Sequence, residues 1–102
     1  MNESRKTHNE EKITKRSEQQ VRALTNRLKR VEGQIRGIIT MVENDAYCND
    51  ILQQSAAVSA AINAFNRELL ALHIKGCVTR DIKNGKEDVV DELMTTLQKL
   101  MK

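Results

Sequence analysis

No proline and no tryptophan occur in this sequence, which holds one tyrosine, one phenylalanine and four glycines in 102 residues. Without proline the strongest helix breaker is gone, and few glycines leave few places where the chain turns at low cost. The scarcity of aromatics removes the stacking platform that unstacked single-stranded nucleic acid requires, whereas duplex DNA needs none. Long apolar runs are missing too. No stretch approaches the roughly 20 residues that span a bilayer, and the opening MNESRKTHNEEK lacks the apolar core of a secretory signal. The expectation is a soluble, cytoplasmic protein with no membrane partner. In that reducing compartment its two cysteines read as ligands or redox-active thiols rather than as a structural disulfide.

What is present favours helix: Ala, Leu, Ile, Gln, Glu, Lys and Arg dominate, and the chain reads as all-α. A chain this short buries only a modest fraction of its surface when folded alone, so oligomerisation is expected. The formal charge of +3 is unevenly placed. Residues 1–36 hold ten Lys/Arg against five Asp/Glu, and residues 37–102 hold seven against nine. A basic first third suits a polyanion partner as well as it suits a solvated charged face.

Residues 1–16 show no repeating apolar position and read as a flexible polar tail, with residues 17–102 as the helical domain. Ser17-Glu18-Gln19-Gln20 fits a capping box that starts the first of three helices. Val21, Leu24, Leu28, Val31, Ile35, Ile38 and Val42 then alternate steps of three and four, a heptad stripe that places one long helix against another. The residues 43–46, ENDA, supply a break, with Asp45 able to cap a second helix whose first turn contains Cys48. Ile51, Ser55, Val58, Ile62, Phe65, Leu69 and Leu72 continue the alternation. No strong breaker interrupts this run until Gly76, and a single glycine costs only ~1 kcal/mol, so the helix can carry on to about Lys83, where Asn84-Gly85 is a good stop. A shorter third helix buries Val90, Leu93, Leu97 and Leu100.

His73 and Cys77 lie four residues apart, on one face of a helix, and can hold one ion. Cys48 cannot join them within the same chain: 25 residues at about 1.5 Å each separate it from His73 by roughly 37 Å. Two second helices packed antiparallel would bring the start of one beside the end of the other, giving two equivalent sites related by a two-fold axis. On periodicity alone the cysteines read equally as buried thiols and His73 as a surface residue. The placement of all three at helix ends that antiparallel pairing joins favours ligands. Two thiolates and an imidazole are a soft donor set suited to three-coordinate Cu(I), whereas zinc usually takes a fourth ligand. A catalytic Cys/His pair lacks a glycine-rich turn for an oxyanion hole, and the chain does not read as an enzyme.

NRLKRVEGQIRGI at 26–38, DAYCNDIL at 45–52 and His73-x-x-x-Cys77 together resemble the copper-sensitive operon repressor (CsoR) family of helical bacterial regulators, from Gln20 to about Met101. The resemblance implies an antiparallel four-helix-bundle dimer, paired into a tetramer, with one Cu(I) per protomer bridging two chains through Cys48, His73 and Cys77. It also implies supporting roles for Tyr47 and Glu92, which would hydrogen-bond to the His73 ring nitrogen not on the metal. For operator DNA it points to Arg22, Arg27, Lys29, Arg30 and Arg36 on the first helix, with Arg67 the remaining candidate on the second. Relatives carry more cations midway along the second helix, where this chain has Ala56, Ser59 and Ala64. The implied function is a repressor that binds its operator without copper and releases it when Cu(I) binds, derepressing copper efflux genes. Two other readings stand beside it: a persulfide or thiol sensor using Cys48 and Cys77, and a cytosolic copper buffer that does not bind DNA.

Overall fold

The computed structural model describes residues 13–101. Three helical rods make up the fold: α1, Glu18–Glu43; a second rod formed by α2, Cys48–His73, a π-helical turn, Ile74–Val78, and α3, Thr79–Lys83; and α4, Asp88–Leu100. The second rod ends at Lys83, where the sequence places its end. Among the described residues there is no strand.

Helix α1 begins on the expected capping box. The Ser17 hydroxyl accepts the Gln20 amide at 3.1 Å, and the Ser17 amide donates to the Gln20 side chain at 3.0 Å. Its far end differs from expectation at Asp45, which adopts the left-handed conformation, φ 56°. The Asp45 amide donates to the Val42 carbonyl and the Ala46 amide to the Met41 carbonyl, a Schellman closure of α1. Asp45 therefore ends the first helix instead of capping the second. Tyr47 takes the N-cap position of α2 and makes no side-chain cap bond. A β-branched residue suits φ 56° poorly, so Asp45→Val should cost about 1–2 kcal/mol while Asp45→Gly should cost nothing. Urea denaturation of the two variants checks this. The second rod ends the same way on Gly85, φ 80°, with Lys86 donating to the Asp81 carbonyl at 2.8 Å.

The four-residue turn folds α2 back along α1. The heptad stripe of α1 then divides. Leu24 and Val31 are buried and Ile38 is half-buried against α2, while Val21, Leu28, Ile35 and Val42 remain 42–57 % exposed. A seam of period 3.5 has two rows, and one neighbouring helix covers one of them. Val89, not Val90, is the buried residue of α4, because its inward face runs through Val89, Leu93 and Leu97 at four-residue steps; Val90 and Leu100 are exposed. Only Leu24, Val31, Cys77, Val78 and Val89 are buried among the described apolar residues, a thin core for a chain of this size.

Candidate metal centre

Cys48 and His73 are the first and last residues of α2, which keeps them about 37 Å apart along the helix. Cys48 is exposed, and Cys77 is buried in the π turn that follows His73. His73 and Cys77 line one cavity of ≈ 180 Å³, together with Thr14, Val89 and Glu92. They also line a larger neighbouring space of ≈ 510 Å³ between the residues before α1, the end of α2 and α4. Within one chain, no group of three His, Cys, Asp or Glu among the described residues is placed to hold an ion. One chain thus offers a two-donor pair at one end of its second rod and a single exposed thiol at the other.

The turn carrying Cys77 is not the α-helix that the sequence suggests. It widens to an i→i+5 turn over Ile74–Val78, a rare form found mostly as single turns inside α-helices and frequently at functional sites. His73 and Cys77 still open onto the same cavity. The composition around Gly76 gives the only advance signal, since one glycine weakens the helix by ~1 kcal/mol at that turn.

Glu92, on α4, reaches the cavity shared by His73 and Cys77. Tyr47 is 72 % exposed beside Cys48, at the opposite end of α2 from the chain's own His73. Thr14, expected in the polar tail, is a further neighbour. Its hydroxyl lies 3.3 Å from the Cys77 sulfur, laying residues 13–16 across this end of the rod. Residues 1–12 of the tail lie outside the described residues. The available signal was Ile13, the one aliphatic residue between Met1 and Val21.

The six cations named for DNA are all exposed. Arg22, Lys29 and Arg36 are spaced by seven along α1 and so form one strip on its surface. Arg36 lies 3.9 Å from Glu32 on the same helix. Arg27 is paired across the hairpin with Glu68 of α2 at 3.5 Å, both side chains nearly half exposed. Such a pair contributes about 0.2–1 kcal/mol to stability, and it offsets the Arg27 charge.

A helical chain with a divided soft donor set and a cationic first helix has the parts of a metal-responsive DNA regulator. Residues 20–99 match the family of metal-sensitive transcriptional repressors, and the chain belongs to that family, one of regulators rather than enzymes. It is 46% identical over 97 residues to the copper-sensing transcriptional repressor CsoR of Bacillus subtilis, a match covering 93% of this chain and 96% of that protein. Its fold is similar to the crystal structure of the copper-sensing repressor CsoR with Cu(I) from Geobacillus thermodenitrificans. That match has a TM-score of 0.84 and 37% identity, over 88% of this chain and 95% of the other. The nickel-responsive transcriptional regulator InrS is less similar in structure, with a TM-score of 0.67 at 37% identity over 87% of this chain and 98% of its own.

Proposed function

We propose that this chain is a cytoplasmic copper(I)-responsive transcriptional repressor, acting as a homodimer paired into a homotetramer. The observation that carries the reading is the division of the donor set: His73 and Cys77 share a cavity, and Cys48 is exposed at the other end of the same helix. Antiparallel pairing of two chains completes two sites, each with Cys48 from one chain and His73 with Cys77 from the other. The exposed row Val21, Leu28, Ile35 and Val42 gives such an assembly an apolar seam still to be covered.

The donors fit Cu(I), one ion per protomer bridging two chains, since two thiolates and one imidazole satisfy a soft three-coordinate ion. Bound there, Cu(I) would be held by Cys48 of one chain and by His73 and Cys77 of the other, and would supply the link between the two chains. With one ring nitrogen on the metal, His73 would present the other to Glu92, which lines the same cavity, and to Tyr47, which would arrive beside Cys48 of the second chain. That arrangement links the end of the second rod to α4. The cationic strip of α1, Arg22, Lys29 and Arg36, with Arg30 beside it, serves the operator. Arg27 lies about 140° around α1 from Arg22, on the side turned toward α2, where it is already paired with Glu68, and Arg67 lies on α2. Copper and DNA disfavour each other by one coupling energy, whichever binds first.

The test is an anaerobic Cu(I) titration of the protein bound to DNA from upstream of its own gene, repeated with a persulfide donor. Release at one ion per protomer is expected, with His73→Ala losing the response to copper and Glu92→Ala retaining much of the copper affinity but releasing DNA less. A His73→Ala protein that still releases DNA with the persulfide donor, beside a wild type indifferent to copper, identifies a thiol sensor instead. No salt-dependent DNA binding at all identifies a copper buffer.

A further inference from the structure

Three threonines return their hydroxyls to the backbone of their own helix. Thr40 donates to the Arg36 carbonyl at 3.2 Å and Thr95 to the Asp91 carbonyl at 3.1 Å, both four residues back. That is the usual reach of a helical threonine. Thr79 differs: its hydroxyl donates to the Ile74 carbonyl, five residues back, at 2.7 Å, the shortest of the three. The Thr79 amide donates to the same Ile74 carbonyl. Ile74 opens the widened turn and Thr79 directly follows it, with Cys77 between them. One carbonyl therefore takes two donors from one residue across the turn.

The consequence is geometric. In an α-helix each residue turns about 100°, and two residues four apart, as His73 and Cys77 are, are offset by about 40° around the axis. A turn that accommodates one more residue changes that offset, and it rotates everything beyond by up to about one residue's share. Whether the turn is α or π thus sets the direction of the Cys77 sulfur relative to the His73 ring. A lone π turn is a high-energy form unless something holds it. Gly76 inside it lowers the competing α state's advantage, and apart from its chain neighbours and the adjoining helix backbone nothing lies within 4 Å of where a Cβ would stand on Gly76, so that glycine is not imposed by crowding.

We propose that Thr79 is a positioning residue for the metal site: by holding the Ile74 carbonyl with its hydroxyl, it keeps the 74–78 turn widened and so aims Cys77 and His73 at one ion. The proposal rests on the reading of His73 and Cys77 as ligands, while its effect on the turn exists without metal. Thr79→Val keeps the shape and branching and removes the hydroxyl. Thr79→Ser keeps the hydroxyl. Gly76→Ala leaves Thr79 in place, has room for its methyl, and favours the α turn.

Two measurements on the full-length protein decide the matter. In the metal-free state, NMR of the Ile74 carbonyl and the 74–79 amides should move toward α-helical values in Thr79→Val and Gly76→Ala, and stay in place in Thr79→Ser. With Cu(I) alone, under anaerobic conditions against a chromogenic chelator, Thr79→Val and Gly76→Ala should bind at least about tenfold more weakly, the range that loss of an orienting partner produces. X-ray absorption should then show two strong ligands instead of three, with Thr79→Ser close to wild type. A Thr79→Val protein with unchanged 74–79 signals overturns the proposal whether or not copper binds. Shifted signals with undiminished three-ligand copper binding overturn it as well. If wild-type protein fails to bind Cu(I), it is the copper reading that falls, and the metal-free spectra still show whether Thr79 holds the turn.

Discussion

An equal mixture of Cys48→Ala and Cys77→Ala chains, allowed to exchange subunits, should recover copper binding that neither variant shows alone. In a mixed dimer one site takes Cys48 from the Cys77→Ala chain and both His73 and Cys77 from the Cys48→Ala chain, so it is complete. The other site loses both cysteines. Random exchange makes about half of the dimers mixed, each with one complete site, so about a quarter of the wild-type capacity should return. Each variant alone keeps two donors per site, and its affinity should fall by more than the 10–100-fold that loss of an outer partner costs. Titration against a Cu(I) chelator before and after exchange measures both effects. The expected recovery depends on the length of α2, which keeps Cys48 about 37 Å from His73 of its own chain. Absence of recovery, in a mixture shown by mass spectrometry to contain mixed dimers, removes the shared site.

Neutralising the strip of α1 should have the second large effect. Arg22, Lys29 and Arg36 are exposed and spaced by seven, so replacing all three by Ala leaves the α1–α2 packing intact and removes one continuous row of charge. Operator affinity should fall by on the order of 100-fold or more, and the slope of log affinity against log salt should drop by about one for each phosphate no longer neutralised. Arg27→Ala should do less than the removal of Arg22 or Lys29, because Glu68 already offsets its charge across the hairpin. Fluorescence anisotropy at several salt concentrations, with circular dichroism to verify helicity, reads both quantities. An unchanged salt slope in the triple variant would place the DNA surface elsewhere.

The shared site and the cationic strip draw on different sources of information. The distance between Cys48 and His73, on which the proposed shared site rests, needs only a helix without a breaker, and the structure supplies that helix from Cys48 to Lys83, interrupted in geometry but not in direction of travel. The choice of cations needs spatial neighbours. Arg27 and Arg22 look alike in the sequence, yet a glutamate 41 residues further along faces only the first of them.

The helices, their approximate ends, the capping box at Ser17 and the placement of Cys48 and His73 at opposite ends of α2 were all legible in the order of residues. They follow from rules that act over a few residues: apolar spacing, hydroxyl and amide caps, and the fixed rise of a helix. Whatever depends on a neighbour, or on a competition of small energies, emerged only in three dimensions. Folding chose the row of the α1 stripe that α2 covers, turned Val89 and not Val90 inward, and laid Thr14 on Cys77. Asp45 could serve either helix end, and the chain reversal settled it in favour of closing α1. The π turn is the sharpest case. An α turn and a widened turn have the same apolar pattern, so periodicity cannot tell them apart. Two hydrogen bonds to the Ile74 carbonyl decide between them, and with them the direction in which Cys77 points.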